Sequence, residues 1–527
     1  MTNHTSSRMT RLLESNQLRL IKSGLKGIEK ENLRVSTDGF IAQTPHPTVF
    51  GSALTHPYIT TDYSEALLEF ITPPFENSMD TLDFMTNIHQ FIYDHLSSDE
   101  LLLTSSMPCG IKGDDSIPIA RYGSSNVGQM KHIYRRGLWH RYGRAMQAIA
   151  GVHFNYSVPE TLTQALHQLE ASPLTTEQYA SDCYFGLIRN FLREGWLLLY
   201  LFGASPAICK SFLTGREREL AEGFDEFDPY TFYQPYATSL RMSDIGYKSK
   251  KQINLDINYN SLTNYVKTLT KGIELPYPDY EKIGVKVDGE YKQLNANLLQ
   301  IENEFYSTIR PKQIAQSCEK PTIALLKRGV RYVEVRSLDL DVFQPTGISE
   351  STTLFLEAFL LYCFLSESPN SDNQEQAQNN ANQLTVSHQG RRPELTLKKG
   401  SQEVTLQEWA DDIFSNVKAI CDILDQDNPK KPYTNAWQEQ QNKIENPDST
   451  PSAIILQKMQ ESNLTFSSFA LKMSAKHEAY FRSKRLDSSQ TEQFMSVSEE
   501  SVAKQKKVEA NDTLSFDAFL DCYFKQC

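Results

Sequence analysis

The stretches Glu29-Lys30-Glu31-Asn32-Leu33-Arg34-Val35-Ser36 and Val333-Glu334-Val335-Arg336-Ser337-Leu338-Asp339 decide how this chain is read. In each, charged residues stand two apart within a strand-like run. Side chains alternate in direction along a strand, so Glu29 and Glu31 share one face, as do Glu334 and Arg336, while Val333 and Val335 take the other. A face carrying several carboxylates and an arginine is costly to bury unpaired. It suits divalent cations that hold a phosphorylated ligand. From these two segments alone, a solvated outer face of an antiparallel sheet is an equally good reading.

The rest of the chain constrains that choice. Its 527 residues allow a large core and two or more domains. A formal net charge of -12, with no basic run, argues against non-specific nucleic-acid binding. An anionic ligand would need single arginines, helix N-termini or bound cations. The first ten residues lack the apolar stretch of a secretory signal, so a cytoplasmic protein is expected. The apolar runs Trp196 to Ala204 and Thr353 to Leu365 fall short of the roughly 18 to 20 residues of a membrane helix, and the second contains Glu357. Both read as core helices, with no membrane partner. The 8 cysteines are scattered without a Cys-x-x-Cys pair, which indicates neither a disulfide framework nor a zinc cluster.

Organisation along the chain is irregular. Leu67 to Thr72 reads as a strand stopped by Pro73 and Pro74, and Met79 to Leu96 and Tyr179 to Leu201 carry apolar residues at helical spacing. Strands return with Leu298 to Tyr306 and Gly329 to Leu338. Helix and strand alternate without a βαβ repeat, so an α+β fold with an antiparallel or mixed sheet is expected. The expected division is a catalytic region over residues 1–365, a polar surface insertion over 366–400, and a mainly helical region over 401–527 packed on the same domain. Within the last, Leu406 to Leu424, Ser452 to Met459 and Phe466 to Phe481 read as helices, Asp487 to about Lys507 as a polar charged stretch, and Leu514 to Phe524 as an amphipathic end.

No P-loop and no Gly-x-Gly-x-x-Gly after a strand is present, so a nucleotide would sit on another scaffold. Asp62 falls at an apparent turn and Glu69 within a strand; ordinary surface is the commoner role for each taken alone. His153 and Asn155 share one face of a short alternating strand, where a satisfied core histidine is the more common outcome. Arg241, in the loop-like run Pro235 to Tyr247, suits a bidentate pair with a carboxylate or an ion pair with Asp244. Glu302 and Glu304 repeat the alternating acidic pattern as lower-ranked metal or cofactor candidates, and Arg310 and Lys312 could meet ATP phosphates.

Taken together, Gly27 to Val35, Gly51-Ser52-Ala53-Leu54-Thr55-His56, Thr60 to Pro73, Tyr200-Leu201-Phe202-Gly203-Ala204-Ser205-Pro206-Ala207 and Val333 to Asp339 closely resemble the proteobacterial glutamate-cysteine ligase family. The resemblance runs from about residue 10 to 360 and is loose beyond. It implies a glutamine synthetase-like fold, in which a curved, mainly antiparallel sheet forms a carboxylate-lined funnel surrounded by helices. It implies ATP-dependent ligation of L-glutamate to L-cysteine through γ-glutamyl phosphate, the first step of glutathione synthesis, with glutathione as feedback inhibitor and a monomeric enzyme. Two or three Mg²⁺ ions, replaceable by Mn²⁺, would serve as cofactors. Carried onto matching positions, Glu29, Glu31, Asp62, Glu69, His153 and Glu334 would hold metal. Arg336 would face the transferring phosphoryl group, and Arg241 and Asn155 would hold glutamate. Tyr134, Leu138, Gln147, Tyr247 and Tyr306 would shape the cysteine pocket, and Tyr63 stands there where relatives often carry phenylalanine.

Overall fold

The computed structural model describes residues 7–213, 223–246 and 255–526. Its centre is the long strand β1 (Leu25–Ser36), flanked by β2 (Ile59–Thr61), β3 (Leu67–Ile71), β4 (Glu100–Leu103), β5 (Val152–Ser157), β6 (Ile309–Lys312) and β7 (Tyr332–Leu338). These form a 7-stranded sheet in the order β6-β7-β5-β1-β3-β2, with β4 joined to β1. Every pairing is antiparallel. Leu33 faces both Leu67 of β3 and Leu103 of β4, so β4 lies on the β5 side of β1, beyond the end of β5. The molecule is therefore α+β with an antiparallel main sheet, as the irregular alternation of patterns predicts.

Helices cover the sheet and explain where apolar periodicity leads. Helix α1 (Ser78–His95) starts at Asn77, whose side chain accepts from the Met79 amide, and buries Leu82, Met85, Ile88 and Ile92. Helix α2 is Asn126–Tyr142. The single apolar pattern at Tyr179 to Leu201 becomes two helices, α3 (Thr176–Glu194) and α4 (Trp196–Phe202). They part at Gly195, where a Cβ would collide with the Phe191 carbonyl. Helix α5 (Glu350–Leu365) is buried almost all round, as expected of a core helix. Among the described residues no helix is long and apolar enough to cross a membrane, and the cysteines are free.

Three expectations are corrected. Leu298 to Tyr306 is not a strand: Glu302–Glu304 forms a 3-10 turn. The polar stretch 366–400 is not an excursion from the fold, because it contains helix α6 (Asn373–Gln389), which buries Asn379, Asn382, Gln383 and Val386. Asp487 caps a 23-residue helix, Ser488–Ala510, where the sequence shows only polarity. The C-terminal helices include α7 (Leu406–Leu424) and α8 (Pro432–Glu445).

Candidate functional site

Register turns the local alternation into a site. Directly opposed residues of an antiparallel pair point to the same face. One row across the sheet reads Arg310, Glu334, Asn155, Gly27. The next pairs His153 with Glu29, and the third runs Glu31, Glu69, Thr60. Strands far apart in sequence thus bring Glu29, Glu31, Glu69, His153, Asn155 and Glu334 to one face. Asp62, just beyond β2, adds its charge beside Glu31 and Glu69.

The two ends of this face differ electrostatically. Glu334 is held between Lys312 Nζ and Arg336 Nη1, each 2.9 Å from one of its oxygens. Burial would raise its pKa, but Lys312, Arg336 and His153 hold it well below the usual carboxylate range. Glu29 accepts from Asn155 Nδ2 at 2.9 Å and lies 3.3 Å from His153 Nδ1. Burial and Glu334 oppose its ionisation, and the bond with His153 and the charge of Lys312 bring it below its ordinary value. At the other end, carboxylates crowd one another. Burial and the neighbouring Asp62 push Glu31 up to about 8, against Arg241, Arg336 and the Gly151 amide that donates to it at 2.6 Å. Burial with Glu29, Asp62 and Glu31 raises Glu69 well above the ordinary range. Such mutual repulsion in a partly dehydrated site is what bound cations relieve.

The donor set fits a hard divalent ion. Single ligand atoms of Glu29, Glu69 and His153 lie within 4.8 Å of one another. Among the described residues His153 Nε2 is buried with no hydrogen-bond partner, and so is Asn155 Oδ1. Burial and Arg336 lower the pKa of His153, which keeps a ring nitrogen available as a ligand. Carboxylate oxygens with one imidazole suit Mg²⁺ or Mn²⁺ rather than soft metals.

Beside the acidic face lies Arg241, on the 3-10 turn Leu240–Met242, with its side chain fully buried. Its Nη2 donates to the Arg336 carbonyl at 3.1 Å. The guanidinium lies against Gly151, where a Cβ would overlap it. Gly151 therefore serves both neighbours, through its amide to Glu31 and through its missing side chain to Arg241. Nothing in the local sequence marks it beyond its place before β5.

Further along, Gln147 Nε2 donates to the Tyr306 hydroxyl at 3.0 Å, and the rings of Tyr306 and Tyr142 meet edge to face at 6.1 Å. Tyr134 and Leu138 stand one turn apart on α2. Burial and the nearby Glu304 carboxylate hold the Tyr134 hydroxyl well above its ordinary pKa, and Leu138 is buried in the main core. Tyr63 has a buried hydroxyl with no hydrogen-bond partner among the described residues. Tyr247 lies outside the described residues. A cavity of about 380 Å³ opens beside Tyr306, lined also by Met242, Tyr259, Thr308 and the Gln383 side of α6.

Glu302 and Glu304 do not join the acidic face, which corrects their reading as cofactor-binding residues. Glu302 accepts from Thr322 Oγ1 at 2.6 Å. Glu304 accepts from Arg141 Nη1, Tyr142 Oη and the Gln300 amide, each at 2.8 Å. Both carboxylates brace the turn that replaces the expected strand. Arg310 shares the row of Glu334, and its Nη2 donates to the carbonyls of Asn303 and Phe305, closing the same turn.

Comparison with known proteins supplies independent findings. The glutamate-cysteine ligase family model matches residues 9–386. The glutamate-cysteine ligase of Alcanivorax borkumensis is 46% identical over 526 residues, covering 99% of each chain. That of Pseudomonas putida KT2440 is 47% identical over 517 residues, covering 98% of this chain and 97% of its own. The similarity thus extends through the helical C-terminal region, beyond the stretch the motifs indicate. The crystal structure of the Francisella tularensis glutamate-cysteine ligase in complex with AMP superposes with a TM-score of 0.89 at 37% identity, covering 95% of this chain and 98% of the other. With near-full-length relatives at this identity and one shared fold, the chain belongs to the glutamate-cysteine ligase family.

Proposed function

We propose that the acidic face of the central sheet is the place where this ligase brings ATP and glutamate together on divalent cations. The reaction is ATP-dependent formation of γ-glutamylcysteine from L-glutamate and L-cysteine, the first step of glutathione synthesis. The observation that carries the site is the convergence of Glu29, Glu31, Glu69, His153 and Glu334 from four strands onto one face, with Arg336 and Arg241 beside it.

The chemistry explains the residues. Glutamate's γ-carboxylate has a reference pKa of about 4.3, so it is an anion that an amine does not attack. Transfer of the γ-phosphoryl group of ATP turns it into an acyl phosphate, from which phosphate leaves when the amine of cysteine adds. Two anions must meet for that transfer. Mg²⁺ held by Glu29, Glu31, Asp62, Glu69, His153 and Glu334 would neutralise phosphate charge and align the reacting oxygens. Arg336, steadied by Glu334, faces the transferring phosphoryl group, and Lys312 adds positive charge on the nucleotide side. Arg241 pairs with a carboxylate of glutamate, with Asn155 as a further hydrogen-bonding group. Tyr134, Leu138, Gln147, Tyr306 and Tyr63 surround the acceptor, a small and partly aromatic site suited to a thiol-bearing side chain.

The test is ADP release with MgATP and L-glutamate, with and without L-cysteine, while mass spectrometry follows the amino-acid product. Cysteine-dependent ADP matched by γ-glutamylcysteine, lost on chelation and restored by Mg²⁺ or Mn²⁺, is the expected result. Turnover at full rate after exhaustive chelation, or in Glu29→Gln, would remove the metal face from the mechanism.

A further inference from the structure

The geometry points to Asp339 as the positioning residue that holds Arg241 in place to receive glutamate. It rests on the reading of Arg241 given above and adds a residue that touches none of the reactants.

Arg241 sits on a short turn, and turns are poor platforms unless tied down. Asp339, just past the end of β7, supplies the tie. Strand β7 is irregular between Val335 and Leu338, which releases the residues after it from strict alternation. The Asp339 carboxylate is buried and gathers two segments. Its Oδ2 accepts from the Ala204 amide at 2.8 Å and from Ser205 Oγ at 2.6 Å. Its Oδ1 accepts from Ser239 Oγ at 2.9 Å and lies 3.9 Å from Arg241 Nη1.

Each of these partners leads to Arg241. Ser205 Oγ, fixed by Asp339, accepts from the Arg241 amide at 3.2 Å. Ser239 caps the turn, its Oγ accepting from the Met242 amide at 3.3 Å. The Leu240 amide donates to the Ser205 carbonyl at 2.8 Å, so the Gly203 to Pro206 run and the arginine turn form one hydrogen-bonded unit around the carboxylate. A buried guanidinium also needs a counter-charge until its ligand arrives, and Asp339 provides it. Only a carboxylate satisfies all these donors, since an amide at this position would turn an N–H group toward one side of the junction.

The experiment is steady-state kinetics on full-length variants, with KM determined separately for glutamate, ATP and cysteine. Asp339→Asn is expected to raise KM for glutamate at least tenfold while KM for ATP changes less than twofold. Arg241→Ala should raise KM for glutamate as well, and adding Asp339→Asn to it should change that value less than twofold. Should Asp339→Asn fold poorly, Ser239→Ala removes the hydroxyl that links Asp339 to the Met242 amide while leaving the carboxylate in place, and is expected to raise KM for glutamate three- to fivefold. A lowered Tm with unchanged KM values would make Asp339 merely structural and overturn the proposal. So would an undiminished effect of Asp339→Asn in the Arg241→Ala background. If Arg241→Ala alone leaves KM for glutamate unchanged, the assignment of Arg241 itself falls, an outcome distinct from the other two.

Discussion

The two faces of β1 carry opposite charge and treat it in opposite ways. The front bears Glu29 and Glu31, with Glu69, His153 and Glu334 from neighbouring strands. The back bears Lys26, Lys30 and Arg34, all buried. On the back every cation meets a group supplied by the protein. Lys26 Nζ lies 2.8 Å from Glu357 of α5, which also accepts from Tyr433. Arg34 donates to Glu100, Thr44 and the carbonyls of Pro45 and Glu65. Lys30 Nζ lies 2.7 Å from His89 Nε2 of α1, and burial brings its pKa down to about 7. On the front, Glu31 and Glu69 are pushed upward by burial and by other carboxylates. Charge that is matched within the chain holds the fold together; under the proposed function, the crowded carboxylates of the front await a cation.

The largest effect should come from the front face. Glu29→Gln removes a charge that Asn155 and His153 orient. Turnover with saturating substrates is expected to fall by at least about a thousandfold, or roughly 4 kcal/mol of transition-state stabilisation. Thermal unfolding should stay within a degree or two of wild type, because no core contact is lost. A large drop in Tm with only modest kinetic loss would show that the front face is matched internally after all.

On the back, the balance between fold and activity should reverse. Lys26→Met leaves Glu357 buried with the Tyr433 hydroxyl as its remaining partner, and breaking a buried pair from one side costs about 3 to 5 kcal/mol. Chemical denaturation should show that loss, while kcat of the folded protein stays near wild type. The double variant Lys26→Met/Glu357→Leu should recover most of the stability, since an apolar pair of similar volume replaces two dehydrated charges. No recovery would mean that Glu357 has a further role.

Gly151→Ala joins the faces' logic at one point. Its amide would still reach Glu31, but the methyl would displace the Arg241 guanidinium. KM for glutamate should rise roughly tenfold to a hundredfold, about 1.4 to 2.7 kcal/mol, with KM for ATP little changed. Equal effects on every substrate would instead indicate a general disturbance of β5.

How much of this was legible follows from range. Glu29 with Glu31, and Glu334 with Arg336, were readable because the period of two is local and survives in any strand. Their meeting with Glu69 and His153 depends on register between segments far apart in sequence, which local pattern does not encode; the resemblance to a family supplied it. Glu302 and Glu304 show the limit. Their spacing imitates Glu29 and Glu31, yet Thr322 and Arg141, distant in sequence, claim both carboxylates within a 3-10 turn. Helix α6 misleads in the other direction, since its amides look solvent-bound by composition. Asn382 instead exchanges two hydrogen bonds with the Lys398 backbone and is buried. Asp339 and Gly151 act through backbone amides and an absent side chain, and neither leaves a trace in composition.

The smallest effect concerns how the back face behaves with pH. His89 is stacked on Phe481, its Nδ1 faces the Met85 carbonyl, and its Nε2 faces Lys30. Burial and the charge of Lys30 lower its pKa well below 6.5, and His477 is a further titratable neighbour. A histidine whose folded pKa is depressed contributes stability that is complete above the unfolded value of about 6.5 and is lost as pH falls. Between pH 6.5 and 5.5 the wild type should therefore lose up to about 1 kcal/mol through this group. His89→Gln keeps an acceptor for Lys30 but cannot take up the proton, so its denaturation midpoint should fall less over the same interval. Parallel curves for the two proteins would mean that His89 takes up its proton alike in the folded and unfolded states and that the back face contributes nothing to this pH dependence.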